Sequence, residues 1–133
     1  MKWHCIYDLS QDHRRVKRIQ KATLETEDMG LLPEIALFGS NEWWNAIKDG
    51  RIPKLELSGI ISKVNDISRG AWPMCVIDAN GEKTEWTRYG DDAPYKAGRG
   101  IRLEYVYQKW KPSKTNKSLG DKVKVVLKVM IEF

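Results

Sequence analysis

Residues 73–88 read PMCVIDANGEKTEWTR, and this stretch decides how the rest of the chain is parsed. Asn80-Gly81 is the strongest short hairpin signal, because both central positions of the tight turn need a positive φ that Asn and Gly tolerate. It joins the run Pro73–Asp78 to the run Glu82–Arg88 as two antiparallel strands. Upstream, Lys54–Val64 sets Leu55, Leu57, Gly59 and Ile61 at period two, with Gly59 where a strand can bend sharply. Downstream, Ile101–Trp110 alternates Ile101, Leu103, Tyr105 and Tyr107 with Arg102, Glu104, Val106 and Gln108. Val123–Phe133 alternates Val123, Val125, Leu127, Val129, Ile131 and Phe133 with mostly polar neighbours. Five strands result, with one tight hairpin between the second and third and a longer break before the fourth.

The first fifty residues carry a different pattern. Residues 2–9 alternate, with Trp3, Cys5, Tyr7 and Leu9 on one side of a strand and Lys2, His4, Ile6 and Asp8 on the other. Ser10 can cap a helix from about Gln11 to Leu24, whose Val16, Ile19 and Thr23 fall three to four apart. Cations at Arg14, Arg15, Lys17, Arg18 and Lys21 precede acids at Glu25, Glu27 and Asp28, an order that opposes the helix dipole. An extended Arg15–Thr26 therefore stays open. Glu34–Phe38 reads as a short strand. Ser40 then caps a second helix, Glu42 suits its positive end, Trp43, Trp44 and Ile47 form its apolar face, and Gly50 stops it.

The 133 residues fit a single domain, 1–133, in which 1–50 is a strand-and-helix extension packed on a body formed by 51–133. Hydrophobic residues make up 41% and charged residues 31%, with six Trp, five Tyr and two Phe, which excludes disorder, collagen and coiled coil. No apolar stretch reaches the ~20 residues of a membrane helix, and residues 1–10 lack the apolar core of an export signal. Two cysteines, Cys5 and Cys75, are too few for a disulfide scaffold and suit a reducing cytoplasm. Residues 1–50 hold 7 Lys/Arg against 8 Asp/Glu, and residues 51–133 hold 16 against 10, so the net charge of +5 arises in the second half.

The glycine-bent first strand (Leu57-Ser58-Gly59-Ile60-Ile61), the unit Cys75–Gly81 and the strand opening Gly98–Leu103 resemble an OB-fold over residues 51–133. The expected fold class is thus α+β: a five-stranded OB-like antiparallel β-barrel preceded by an N-terminal strand and one or two helices. The resemblance implies a binding surface on the second and third strands, flanked by the loops joining strands one to two and four to five. Those positions hold Arg69 and Trp72, then Trp86 and Arg88, then Lys109, Trp110, Lys111, Lys114 and Lys117. Lys and Arg neutralise phosphates and flat rings stack on bases, so the leading expectation is a non-catalytic binder of single-stranded DNA or RNA. The blander reading of the same residues is that Trp72 and Trp86 plug the core and that Lys109–Lys117 is a solvated loop.

The alternative is a protein-interaction module: an adaptor, an inhibitor or a phage-type assembly component with Trp and Tyr anchors. Trp43 and Trp44 carry it, since adjacent helix positions lie about 100° apart and cannot both face one core. Catalysis and metal binding find no constellation. His4, Cys5, His13 and Cys75 lack the short spacing of zinc ligands. Asp91-Asp92 and Asp78 beside Asn80-Gly81 are explained as turn residues. No cofactor is expected, and the oligomeric state stays open because the first and last strands each offer a pairing edge.

Overall fold

A computed structural model describes residues 1–27, 29–111 and 122–133. Six strands, β1 (Trp3–Asp8), β2 (Leu55–Val64), β3 (Met74–Ala79), β4 (Glu82–Thr87), β5 (Gly100–Lys109) and β6 (Lys122–Glu132), accompany helices α1 (His13–Glu25) and α2 (Asn41–Lys48). The α+β class is as the sequence indicates. The strands form one antiparallel sheet in the order β1-β6-β5-β2-β3-β4. The N-terminal strand is thus a full member of the sheet, and among the described residues the order ends at β1 and β4 without returning on itself. The succession β5-β2-β3-β4 is a Greek key, in which a fourth strand returns to lie beside the first.

The chain divides into two compact units. One comprises Met1–Asp8, Glu56–Glu104 and Leu127–Phe133, and its core contains Ile61, Ile77, Trp86, Ile101, Val129 and Ile131. The β3–β4 hairpin turns at Asn80 (φ 55) and Gly81 (φ 88), as a turn with two positive φ angles requires. The Asp78 carboxylate accepts the Gly81 amide at 2.8 Å. Gly59 is needed for proximity: a Cβ there would lie 2.5 Å from the Asp78 carbonyl oxygen on β3. A bulge between Cys5 and Tyr7 interrupts the β1–β6 register, so Cys5 is exposed rather than sharing the buried side with Tyr7. Trp3 pairs with Glu132, and the backbones of Lys2 and Phe133 exchange two hydrogen bonds of 3.0 Å.

The other unit comprises Leu9–Leu55 and Tyr105–Val126, and its described residues bury Leu9, Leu31, Phe38, Trp43, Ala46 and Val106. Helix α1 forms despite its reversed charge order. Its cap is Asp12, not Ser10, which lies in a short 3-10 turn over Leu9–Gln11. The Asp12 carboxylate accepts the Arg15 amide at 3.2 Å. At the far end the Lys111 ammonium donates to the carbonyls of Thr23 and Thr26, supplying from another segment the cation that α1 lacks in its own last turn. The buried Thr23 hydroxyl donates to Ile19 O at 2.8 Å and accepts the Leu31 amide at 3.0 Å, fixing the reversal after α1. Residues 34–38 are a bend running into a turn at Phe38 rather than the expected strand, because the local pairing is made by Leu31, bridged to Trp110, and by Leu32, whose amide donates to Lys109 O. Helix α2 follows the sequence closely: the Ser40 hydroxyl accepts the Trp43 amide at 3.2 Å, and Gly50 ends it at φ 85.

Candidate functional site

The loop between β2 and β3, residues 65–73, is built on a buried cation. The side chain of Arg88, at the end of β4, is 2% exposed. Its guanidinium donates to Asn65 O (3.1 Å), Asn65 Oδ1 (2.8 Å) and Met74 O (2.6 Å). Its Nε meets the Asp92 carboxylate at 2.6 Å. Asn65 closes the neck of the loop: its Nδ2 donates to Trp72 O at 2.9 Å, and its Oδ1 also accepts the Met74 amide at 2.8 Å. Two further turns tighten the span, Ser68 N to the Asp66 carboxylate at 2.8 Å and Gly70 N to Ile67 O at 3.0 Å. The Ser68 hydrogen bonds hold the Asp66 carboxyl below its ordinary pKa. Trp72 is 69% exposed and Ile67 41% exposed, with Arg69 also exposed. The Trp72 indole donates to Thr87 Oγ1 at 3.1 Å, which ties the ring to β4.

The structure thus brings Arg69 and Trp72 together on one loop and withdraws their expected companions. Trp86 is buried, with its indole N–H bonded to Thr84 Oγ1 at 2.7 Å, and offers no stacking face. Arg88 is buried too, its donors spent on the loop rather than left for phosphates. Asn65 and Thr87, which do part of the supporting, were not singled out from the sequence, and Asp92 was read there as a turn residue. Asp92, four residues after Arg88, was the available signal.

The remaining expected residues that the structure describes belong to the other unit. Lys109 pairs with Glu34 at 3.3 Å, Lys111 is committed to the end of α1, and Trp110 is 37% exposed. Lys114 and Lys117 lie outside the described residues. Trp43, expected as an anchor, is fully buried, because its ring packs edge-on against Phe38 at 4.9 Å and its N–H donates to Gln108 Oε1 at 3.0 Å. Trp44 is half-buried against Trp43. This unit also holds an open cavity of about 240 Å³ whose lining includes Ile35, Trp43, Ile52, Pro53, Leu55 and Tyr107. At its rim Arg51 and Asp49 meet at 3.0 Å. On α1, Arg14, Lys17, Arg18 and Lys21 are exposed at positions that share one helical face.

Among the described residues no three His, Cys, Asp or Glu side chains come together as a metal site. Burial pushes the Cys75 thiol up to about 11, with the Arg88 charge opposing, so it is not a poised nucleophile. No helix among the described residues is long and apolar enough to cross a membrane.

Among curated proteins, none matches the chain. A family model described as "Immunity protein RhsI2" matches residues 3–132, spanning the sheet and both helices. Immunity proteins are non-catalytic inhibitors of toxins, so the chain is not an enzyme and its partner is a protein. This overturns the expectation of single-stranded DNA or RNA binding, in line with the burial of Trp86 and Arg88. By the span of that match, the chain belongs to the RhsI2 immunity protein family.

Proposed function

We propose that this protein neutralises a toxin by binding it directly, as a stoichiometric inhibitor with no chemistry of its own. The observation that carries the reading is the family match over residues 3–132. The surface supports it, since it exposes Trp, Tyr, Ile and Leu side chains of the kind that anchor protein interfaces. The OB-like reading of residues 51–133 belongs to the same proposal. It is supported by the Greek-key succession β5-β2-β3-β4 and redirects the OB-type loop between the first two barrel strands from nucleic acid to protein.

The test is co-expression of the chain with the toxin domain, followed by growth measurement and isolation of the complex. The expected result is restored growth together with an equimolar complex that withstands gel filtration. Restored growth with no complex between the purified partners would refute direct inhibition.

A further inference from the structure

Three surfaces could meet the toxin: the cavity bordered by Ile35 and Tyr107, the cationic face of α1, and the loop 65–73. The cavity is bordered by side chains already engaged in packing or ion pairs, such as Trp43 and the Arg51–Asp49 pair. The α1 face carries charge and, at its end, the exposed Leu24, which is not tied down by a hydrogen bond as the Trp72 ring is; exposed ion pairs contribute little affinity. The loop combines the two properties that an interface hot spot needs.

The first property is unspent apolar area. Trp72 is the most exposed of the large aromatic residues, at 69%, and Ile67 lies five residues before it on the same loop. The second is rigidity before binding. A loop that must order itself on association loses affinity with every side chain and torsion it immobilises. Here the buried Arg88 guanidinium grips Asn65 and Met74 at the neck, Asn65 holds the Trp72 carbonyl, and Thr87 holds the Trp72 indole. Pro73 further restricts the Trp72 backbone to extended conformations. Little freedom is left for a partner to remove. A buried arginine is a costly way to hold a surface loop, and the exposed product of that cost is Trp72.

Resting on the reading of the chain as a toxin inhibitor, we infer that the loop 65–73 is the primary toxin-docking element, with Trp72 seated in an apolar pocket of the toxin and Arg69 against an acidic rim. The acidic rim is placed opposite Arg69 by charge complementarity, Arg69 being the exposed cation of a loop whose one acid, Asp66, is turned onto the Ser68 amide at 2.8 Å.

The experiment measures equilibrium and kinetic binding of a catalytically silenced toxin domain to the full chain and three variants, each first shown to keep the wild-type melting profile. Trp72→Ala should weaken binding about 30-fold or more, mainly through faster dissociation. Arg69→Glu, which touches no core contact, should weaken it about 10-fold and flatten the salt dependence of association. Tyr107→Ala, at the cavity, should stay within about threefold of wild type. If Trp72→Ala and Arg69→Glu both bind within threefold while the wild type binds tightly, the docking assignment is overturned and the inhibitor reading survives. If Tyr107→Ala alone loses binding, the cavity is the site and the assignment is likewise wrong. Failure of the wild type to bind any toxin sinks the inhibitor reading itself. A wild-type dimer that Trp72→Ala converts to monomer would assign the loop to self-association instead.

Discussion

Asp92→Ala is the sharpest test of the energetics behind the loop. The Asp92 side chain is 62% exposed, and a surface substitution at such a place ordinarily changes stability by less than about 0.5 kcal/mol. Its partner, however, is a guanidinium whose side chain is only 2% exposed, held at 2.6 Å. Removing the carboxylate leaves a buried charge that cannot rehydrate, and breaking such a pair costs about 3–5 kcal/mol. For a chain of this length that corresponds to roughly 12–20 °C in melting temperature, at about 4 °C per kcal/mol. Arg88→Met is gentler, about 2–3 kcal/mol, because the groups left behind have other outlets. The Asp92 carboxylate returns to water, Asn65 Oδ1 keeps the Met74 amide at 2.8 Å, and Met74 O keeps the Asn65 amide at 3.3 Å. The double variant should therefore be no less stable than Arg88→Met alone. Urea unfolding of all four proteins closes the cycle, with an expected coupling of about 3 kcal/mol or more. A loss below about 1 kcal/mol for Asp92→Ala would refute the reasoning, since it would mean that water reaches the guanidinium.

Further outcomes follow from other parts of the molecule. Gly59→Ala should destabilise by about 1–3 kcal/mol in thermal unfolding, because its methyl group would lie 2.5 Å from the Asp78 carbonyl oxygen unless β2 and β3 move apart. Ser40→Ala should cost about 1 kcal/mol through the lost cap on the Trp43 amide, visible as a lower urea midpoint at unchanged slope. A thiol reagent at pH 8 should modify Cys5 at once and Cys75 only after unfolding, so the native protein titrates as one of two thiols. Burial raises the folded Cys75 pKa from 9.0 to about 11, so at pH below about 9 the thiol is neutral in both states. Above that the unfolded chain ionises first, and about 2–3 kcal/mol of stability should drain away between pH 9 and 11. Burial raises Tyr95 in the same direction, so the alkaline decline should continue beyond that window.

What the sequence made legible was local. Ser40, Glu42 and Gly50 mark both ends of α2, and Asn80-Gly81 marks the hairpin, because a cap or a turn is decided by residues within a few positions of one another. Helix α1 was harder to read, since the cation that completes it, Lys111, comes from 85 residues beyond the Thr26 carbonyl it meets. The bulge at Cys5–Tyr7 and the seat of β1 beside β6 depend on a strand at the opposite end of the chain, which no window of periodicity can register. At the candidate site, Arg69 was readable as a cation on a loop, whereas Trp72 read as readily as a core plug and is exposed in the structure. The burial of Arg88 was not, because charge alone places an arginine outside, and only the meeting of Asn65, Met74 and Asp92 around it explains its position.

The pairing of Trp3 with Glu132 also sets a clock. Edge strand β1 can be seated only against β6, far along the chain, so the sheet stays unfinished until β6 has been made. At roughly 5–20 residues per second, the 113 residues between β1 and β6 take about 6–23 s to make. Contacts so distant in sequence also slow the folding step that follows. A nascent chain stalled short of β6 would hold its first strand open to any exposed sheet edge nearby.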